Sequence, residues 1–242
     1  MIKFEKIVCL GEGKFALQCQ KIAENFFACP VELLQNDNIK ELDGFFASLK
    51  NALIISANNT FYLFKKPCIA NNTIINYHNS LLPKHRGLNA HIWTIFEDDV
   101  KTGISWHKVD EGIDTGDLII QKEIVLDESF TALSLLRMQY NLALSSLEEA
   151  LRNLMLNRVK PQNIEALYHS KNEFPNEGYL DLAWEEAKIC RFLRAMDCGS
   201  HQAQLRLFGR DLKIFYYDLE NFNLFLSNDI KLHIKKDRNA TN

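Results

Sequence analysis

Three short apolar runs in the first third of the chain limit the folds open to it. Ile7-Val8-Cys9-Leu10, Ala52-Leu53-Ile54-Ile55-Ser56-Ala57 and Thr73-Ile74-Ile75 each read as a strand buried in an interior. Between the first two, Phe15, Cys19, Ile22 and Phe26 recur at spacings of four, three and four, the signature of one helical face. Residues 39–50 suggest a second, shorter helix. Strands that alternate with helices through the first 160 residues argue for the α/β class, with a Rossmann-like, mostly parallel sheet and helices on both faces.

The pattern continues with Ile119 to Leu126 as a late strand. A long helix follows, capped by Ser129 or Thr131, with Leu133, Leu136, Tyr140, Leu144, Leu147, Leu151 and Leu154 as its core stripe. Val159 to Asn176, with Pro161 and Pro175, reads as a linker. Beyond it a helix turns Leu182, Ile189, Leu193 and Met196 inward. Leu205/Leu207 and Leu212/Ile214/Tyr216 then alternate as strands around a Gly209-Arg210-Asp211 turn, and Ile230/Leu232/Ile234 add another. We therefore expect a main domain over residues 1–160, a linker over 161–178 and a small C-terminal α+β appendage over 179–242, with a disordered tail from Lys235.

Composition narrows the class of function. With 47% apolar residues the chain can pack a sizeable core, and a formal net charge of −3 gives no global basic field for nucleic acid. Six cysteines without CxxC spacing read as free, buried thiols. The run Ile7–Leu10 stops at Gly11, too short for a secretory leader or a membrane span, so the expected location is the cytoplasm, where the triplet Asn239-Ala240-Thr241 is not a glycosylation site.

The chemistry concentrates in residues 74–117. Asn76 and His78 close a strand and share a face, because strand side chains repeat every two residues. After the turn Ser80-Leu81-Leu82-Pro83 and the bend Arg86-Gly87, a helix is expected from about Asn89 to Glu97. A strand over Gly103–Val109 and an acidic loop, Asp110 to Asp117, complete the stretch. An amide, an imidazole and a carboxylate at the ends of neighbouring elements suit acyl transfer: the amide polarises a carbonyl, the imidazole handles a proton and the carboxylate orients the imidazole. For an isolated Asn-x-His, strand-end capping beside ordinary loop acids is the commoner meaning. His78, His85, His91 and His107 lack HxxxH spacing and cysteine support, so no metal is expected. Asn89 and His107 are candidates for the neighbourhood of the site. Gly11-Glu12-Gly13-Lys14, between a strand and a helix, serves either phosphate or acceptor binding or a plain tight turn.

Asn76-Tyr77-His78-Asn79-Ser80-Leu81-Leu82-Pro83, then Gly87, then Asp110-Glu111-Gly112-Ile113-Asp114-Thr115-Gly116 resemble the folate-dependent formyltransferases, and the 36-residue step from His78 to Asp114 fits that family without a gap. The family includes glycinamide ribonucleotide, methionyl-tRNA and nucleotide-sugar formyltransferases and the formylation domains of peptide synthetases. The resemblance implies formyl transfer from N10-formyltetrahydrofolate to a primary amine, with Asn76, His78 and Asp114 as the catalytic trio. It implies a cofactor pocket from Asn59, Thr60, Phe61, Tyr62, Asp110, Glu111, Gly112 and Ile113, and an acceptor side from Gly11, Gly13, Lys14, Ser80, Arg86 and Asn89. The segments Gly103–His107 and Arg194–Asp197 look closest to the sugar and peptide-synthetase branches, so a nucleotide-linked amino sugar is the expected acceptor. Alternatives are an aminoacyl or small-metabolite amine, methionyl-tRNA, hydrolysis of the formylfolate by water, or a folate- or nucleotide-binding module without catalysis. The hydrolases usually carry an N-terminal regulatory domain, whereas this chain begins directly with the first strand. The apolar strands of the appendage leave a homodimer open.

Overall fold

A computed structural model describes residues 3–35, 37–162 and 167–235, and the expected tail after Lys235, with the Asn239 triplet, lies outside them. The elements run β1 (Lys6–Leu10), α1 (Gly13–Phe27), β2 (Glu32–Leu34), α2 (Ile39–Ser48), β3 (Ala52–Ser56), α3 (Lys66–Asn71) and β4 (Thr73–His78). There follow β5 (Arg86–Gly87), α4 (Ala90–Phe96), β6 (Lys101–Lys108), β7 (Leu118–Val125), α5 (Ala132–Met155) and β8 (Tyr168–His169). The chain closes with α6 (Glu186–Met196), β9 (Gln204–Leu207), β10 (Arg210–Asp218), β11 (Asn223–Leu226) and β12 (Ile230–His233). The chain divides into two compact units, Met1–Ala90 with Lys101–Val125 and Arg137–Ser170, and His91–Val100 with Leu126–Leu136 and Lys171–Asn242.

In the first unit six strands form one sheet in the order β2-β1-β3-β4-β6-β7. The strands joined by helical crossovers, β2, β1, β3 and β4, are parallel, while β6 runs antiparallel to β4 and β7 antiparallel to β6. The expected α/β fold with a mostly parallel sheet is thus the observed one. Both faces are covered, which is why the strands read as unbroken apolar runs. On one face α1 and α5 bury Phe15, Cys19, Leu147 and Leu151 against Ile7, Ile55, Ile75 and Trp106. On the other, Leu42 and Phe46 of α2 and Cys68 of α3 pack against Val8, Ile54 and Ile74.

Helix α5 starts with a reciprocal cap: Ser134 N–H donates to Thr131 Oγ1 at 3.3 Å and Thr131 N–H donates to Ser134 Oγ at 3.0 Å. Its buried line is Leu135, Gln139, Ala143, Leu147, Leu151 and Leu154, so the N-terminal half of the expected stripe is rotated by one position. Gln139 accounts for this, because its amide donates to the carbonyls of Asn79 and Gly103. Helix α3 was not expected from the sequence; Pro67 sits in its first turn, where no intrahelical N–H is needed.

The second unit holds α6 and an antiparallel sheet ordered β12-β11-β10-β9, the small α+β appendage foreseen from the alternation. Ile189, Leu193 and Met196 are buried on α6, but Leu182 precedes the helix and is exposed. The β9–β10 turn is Phe208-Gly209, both residues at positive φ, and not Gly209-Arg210-Asp211, whose last two residues belong to β10. A two-residue hairpin needs that left-handed backbone to match the twist of its strands. Tyr216 is exposed rather than inward, because the register shifts between Ile214 and Tyr216. Ile230 is exposed as well.

Candidate active site

The antiparallel pairing of β4 with β6 sets the site. Asn76 lies directly across from His107 and His78 across from Ser105, so these four side chains share one face. Tyr77 and Trp106, paired between them, point the other way, into the core against α1 and α5. The loop from β6 to β7 returns over the polar face and delivers Asp114, held at φ +54°. Every residue of this cluster belongs to the first unit.

The carboxylate of Asp114 joins the pieces. Its Oδ2 accepts the Gly87 N–H at 2.8 Å and lies 3.3 Å from His78 Nδ1. Its Oδ1 accepts from Asn76 Nδ2 at 3.3 Å and lies 3.3 Å from His107 Nε2. His78 Nε2 donates to the His85 carbonyl at 2.8 Å, which orients the ring. Gly87 N–H reaches Asp114 because the Arg86-Gly87 backbone is pinned beside Tyr168-His169 as a two-residue strand pair. At Gly87 φ is +90° and a Cβ would stand 2.1 Å from the His169 carbonyl, so only glycine fits. The amide of Gln162 donates to the Asp114 carbonyl at 3.1 Å and supports the loop from beneath.

Burial is nearly complete: the side chains of His78, His107 and Asp114 are 4%, 2% and 10% exposed. Burial lowers the His78 pKa from its usual value, while Asp114 pulls in the opposite direction. For Asp114, burial alone would raise the pKa. His78 and the Gly87 N–H are among the groups that outweigh it and hold the carboxyl well below its ordinary range. The site therefore keeps a fixed negative charge against two imidazoles, a setting suited to steering a proton and to orienting an amide.

The other residues singled out from the sequence fall into three groups. Asn59 ties its own loop: its Oδ1 accepts from Tyr62 N–H at 3.0 Å and its amide donates to the Tyr62 carbonyl at 2.9 Å. Tyr62 is turned into the core among Phe46 and Phe64, with its hydroxyl on Asp43, so only its backbone is left to face a ligand. Phe61 packs partly against the same cluster, and Thr60 is exposed. This loop adjoins the acidic one, since Lys66 pairs with Glu111 at 2.6 Å and Val109 packs into the same cluster. Asp110 Oδ1 accepts from Gly112 N–H and from the Thr115 hydroxyl, shaping the turn that leaves Ile113 exposed.

Ser80 is buried, its hydroxyl spent on the Lys84 carbonyl. Arg86 and Asn89 flank Gly87, Asn89 at φ +63°. Gly11 N–H donates to the Leu34 carbonyl. Gly13 and Lys14 line a separate cleft of about 460 Å³ at the same sheet edge, with Gln18, Asn58, Arg137 and Tyr140. Tyr140, read from the sequence as core, borders that cleft with its hydroxyl on Asn58 Oδ1. His85 and His91 are buried. The Gly87 N–H, the His85 carbonyl and Gln162 escaped the sequence reading, since a backbone group leaves no residue-type signal and Gln162 fell in the expected linker.

Comparison with protein families matches residues 63–147 to Formyl transferase. A GDP-perosamine N-formyltransferase of Brucella melitensis biotype 1 is 40% identical over 131 residues, 53% of this chain and 49% of the relative. A methionyl-tRNA formyltransferase of Clostridioides difficile is 45% identical over 125 residues, 51% of this chain and 40% of the relative. The chain thus spans about half the length, or less, of these curated relatives. Among solved structures, an N-formyltransferase from Helicobacter canadensis in complex with folinic acid and dTDP-3-aminofucose aligns with a TM-score of 0.70 at 18% identity, covering 93% of this chain and 96% of that one. A sugar N-formyltransferase from a Shewanella species gives 0.70 at 19%, covering 86% and 96%. At those identities the structural likeness is one of fold.

Proposed function

We propose that the chain, whose residues 63–147 match the Formyl transferase family, transfers a formyl group from N10-formyltetrahydrofolate to a primary amine of a nucleotide-linked amino sugar. The observation that carries the reading is the buried Asp114 carboxylate bound between His78 and Asn76 inside that domain. Bound N10-formyltetrahydrofolate supplies the formyl group. Asn76, through one Nδ2–H, and His78 would stabilise negative charge that develops on the formyl oxygen. His78 would take up, on Nδ1 beside Asp114, the proton that the attacking amine sheds, and that proton would pass to N10 as the bond from N10 to the formyl carbon breaks and tetrahydrofolate leaves. Asp114 would steady the charged ring through Nδ1 and keep it oriented.

The loops of Asn59–Tyr62 and Asp110–Ile113, joined through Lys66 and Glu111, fit the cofactor's place: one is stiffened by Asn59, the other presents the exposed Ile113. Gly11, Gly13 and Lys14, with Ser80, Arg86 and Asn89, are proposed for the acceptor side, with Ser80 contributing through the backbone of its turn. We place the reaction in the cytoplasm, as composition suggested. Among the described residues no helix is long and apolar enough to cross a membrane.

An amino sugar is favoured by the GDP-perosamine enzyme among the relatives and by the dTDP-3-aminofucose held by a protein of the same fold. The methionyl-tRNA relatives keep charged initiator tRNA as the second reading. The test is tetrahydrofolate release, followed by absorbance, with GDP-, dTDP- and UDP-linked amino sugars, aminoacyl carriers, charged initiator tRNA and no acceptor. Release with an amino sugar supports the proposal; release with tRNA alone, or without any amine, replaces it by the transfer-RNA or hydrolytic reading.

A further inference from the structure

The geometry points to His107 as a positioning residue: we propose that its Nε2 fixes which end of the Asn76 amide faces the reacting formyl group. The inference rests on the proposed formyl transfer and adds a fourth side chain to its machinery. His107 stands directly opposite Asn76 in the β4–β6 register, so their contact is built into the sheet rather than into a loop.

The direction of the contact follows from the far side of the ring. His107 Nδ1 lies 2.7 Å from the carbonyl oxygen of Lys108, which can only accept, so the ring proton is on Nδ1. That carbonyl is itself hemmed in. Lys108 N–H donates to the Asp117 carbonyl, and the oxygen lies so close to Gly116 that a Cβ there would stand 2.1 Å away. In the tautomer with that one proton, Nε2 carries the lone pair and is an acceptor, and it lies 3.1 Å from Asn76 Nδ2. With the ring 2% exposed, water has little access to compete for it.

An amide can be turned end for end with almost no change of shape, so its sense is set by its partners. Here both partners on one side, His107 Nε2 and Asp114 Oδ1, accept hydrogen bonds. The NH2 end satisfies both; the carbonyl end would face two lone pairs. During transfer, the hydrogen now shared with Asp114 at 3.3 Å is the one that can be redirected to the formyl oxygen. His107 then holds the other hydrogen and keeps the amide from turning. Without His107, nothing selects the donor end while Asp114 is disengaged, and an inverted amide would repel the charge that it has to stabilise. A doubly protonated ring would have the opposite effect. It would aim Nε2–H at Asp114 Oδ1, 3.3 Å away, and at an inverted amide.

The test uses the full chain with His107→Leu and His107→Gln, the latter able to accept through its side-chain oxygen. The expected result is a fall in kcat of about 100-fold for Leu, the size of losing one oxyanion donor, with KM for both substrates within about threefold. Gln should recover at least about tenfold of that loss. Independently of turnover, the side-chain NH2 resonances of Asn76, assigned by their loss in Asn76→Ala, should shift and exchange faster in His107→Leu. His107 Nε2 should show the 15N shift of an unprotonated nitrogen. A Leu variant within threefold of wild-type kcat, unchanged Asn76 resonances, or a protonated Nε2 would each overturn the proposal. If the wild type transfers no formyl group to any acceptor, the functional reading has failed and the resonances alone decide the His107 contact. If the Leu variant melts early, the Gln variant and the wild-type Nε2 shift still decide it.

Discussion

Replacing His91 by glutamine should flatten the loss of stability that this protein suffers in mild acid. His91 lies on α4 with 8% of its surface exposed, and burial pushes its pKa down to about 4 from the usual 6.5. The neutral ring is tolerated in the interior and the charged ring is not. Because the folded value is below the unfolded one, the unfolded chain binds the proton first as pH falls. Stability is full above about pH 6.5 and drains away as the pH drops toward about 4. The gap, at about 1.4 kcal/mol per pH unit, amounts to about 3 kcal/mol, or roughly 6–12 °C in Tm for a chain of this size. His78, also lowered by burial, drains stability from the same side, whereas Asp114 stays charged until the pH is far lower. Urea melts at pH 7.0, 5.5 and 4.5 on wild type and His91→Gln isolate the contribution of His91, because any pH-independent cost of the substitution cancels when slopes against pH are compared. The reasoning is refuted if the two proteins lose stability in parallel between pH 6.5 and 4.5.

Asn76→Ala, His78→Ala and Asp114→Asn should each fold yet lose nearly all transfer, at least about 100-fold in kcat; tetrahydrofolate release beside circular dichroism checks both halves. Gly87→Ala should lose activity as well, since its Cβ would meet the His169 carbonyl and drag the N–H off Asp114; a kcat equal to wild type would contradict the glycine argument. Trp106→Phe removes the indole N–H that donates to the Ala143 carbonyl at 3.2 Å in a fully buried position. It should cost about 1–3 kcal/mol in a urea melt while leaving KM unchanged.

What could be read in the sequence was what local periodicity dictates. Unbroken apolar runs marked strands covered on both faces, and the period of two placed Asn76 and His78 on one side of a strand. Failures came where partners far apart in sequence decide. The expected α5 stripe slipped because Gln139 was needed under Asn79 and Gly103. For Tyr62 a pocket role and core packing were equally open from the sequence, and Asp43, 19 residues away, gives its hydroxyl an inward partner. Residues 159–176 looked like a linker, yet they include the β8 pair that seats Gly87 and the glutamine that holds the Asp114 loop. No spacing rule announces a single hydrogen bond of that kind.

The register of β4 against β6 is the step that turns a motif into a site. Reversing direction places residue 107 opposite 76 and lets the next loop fold back so that Asp114 falls between His78 and Asn76. A one-residue slip would send Asn76 and His78 into the α1–α5 core and bring Tyr77 to the polar face. That slip is opposed by the burial of Tyr77 and Trp106, whose rings pack 5.8 Å apart beneath the site. The apolar pair on one face of the two strands therefore fixes the polar pairs on the other. Fold stability and the geometry of the amide, imidazole and carboxylate rest on the same pairing of strands.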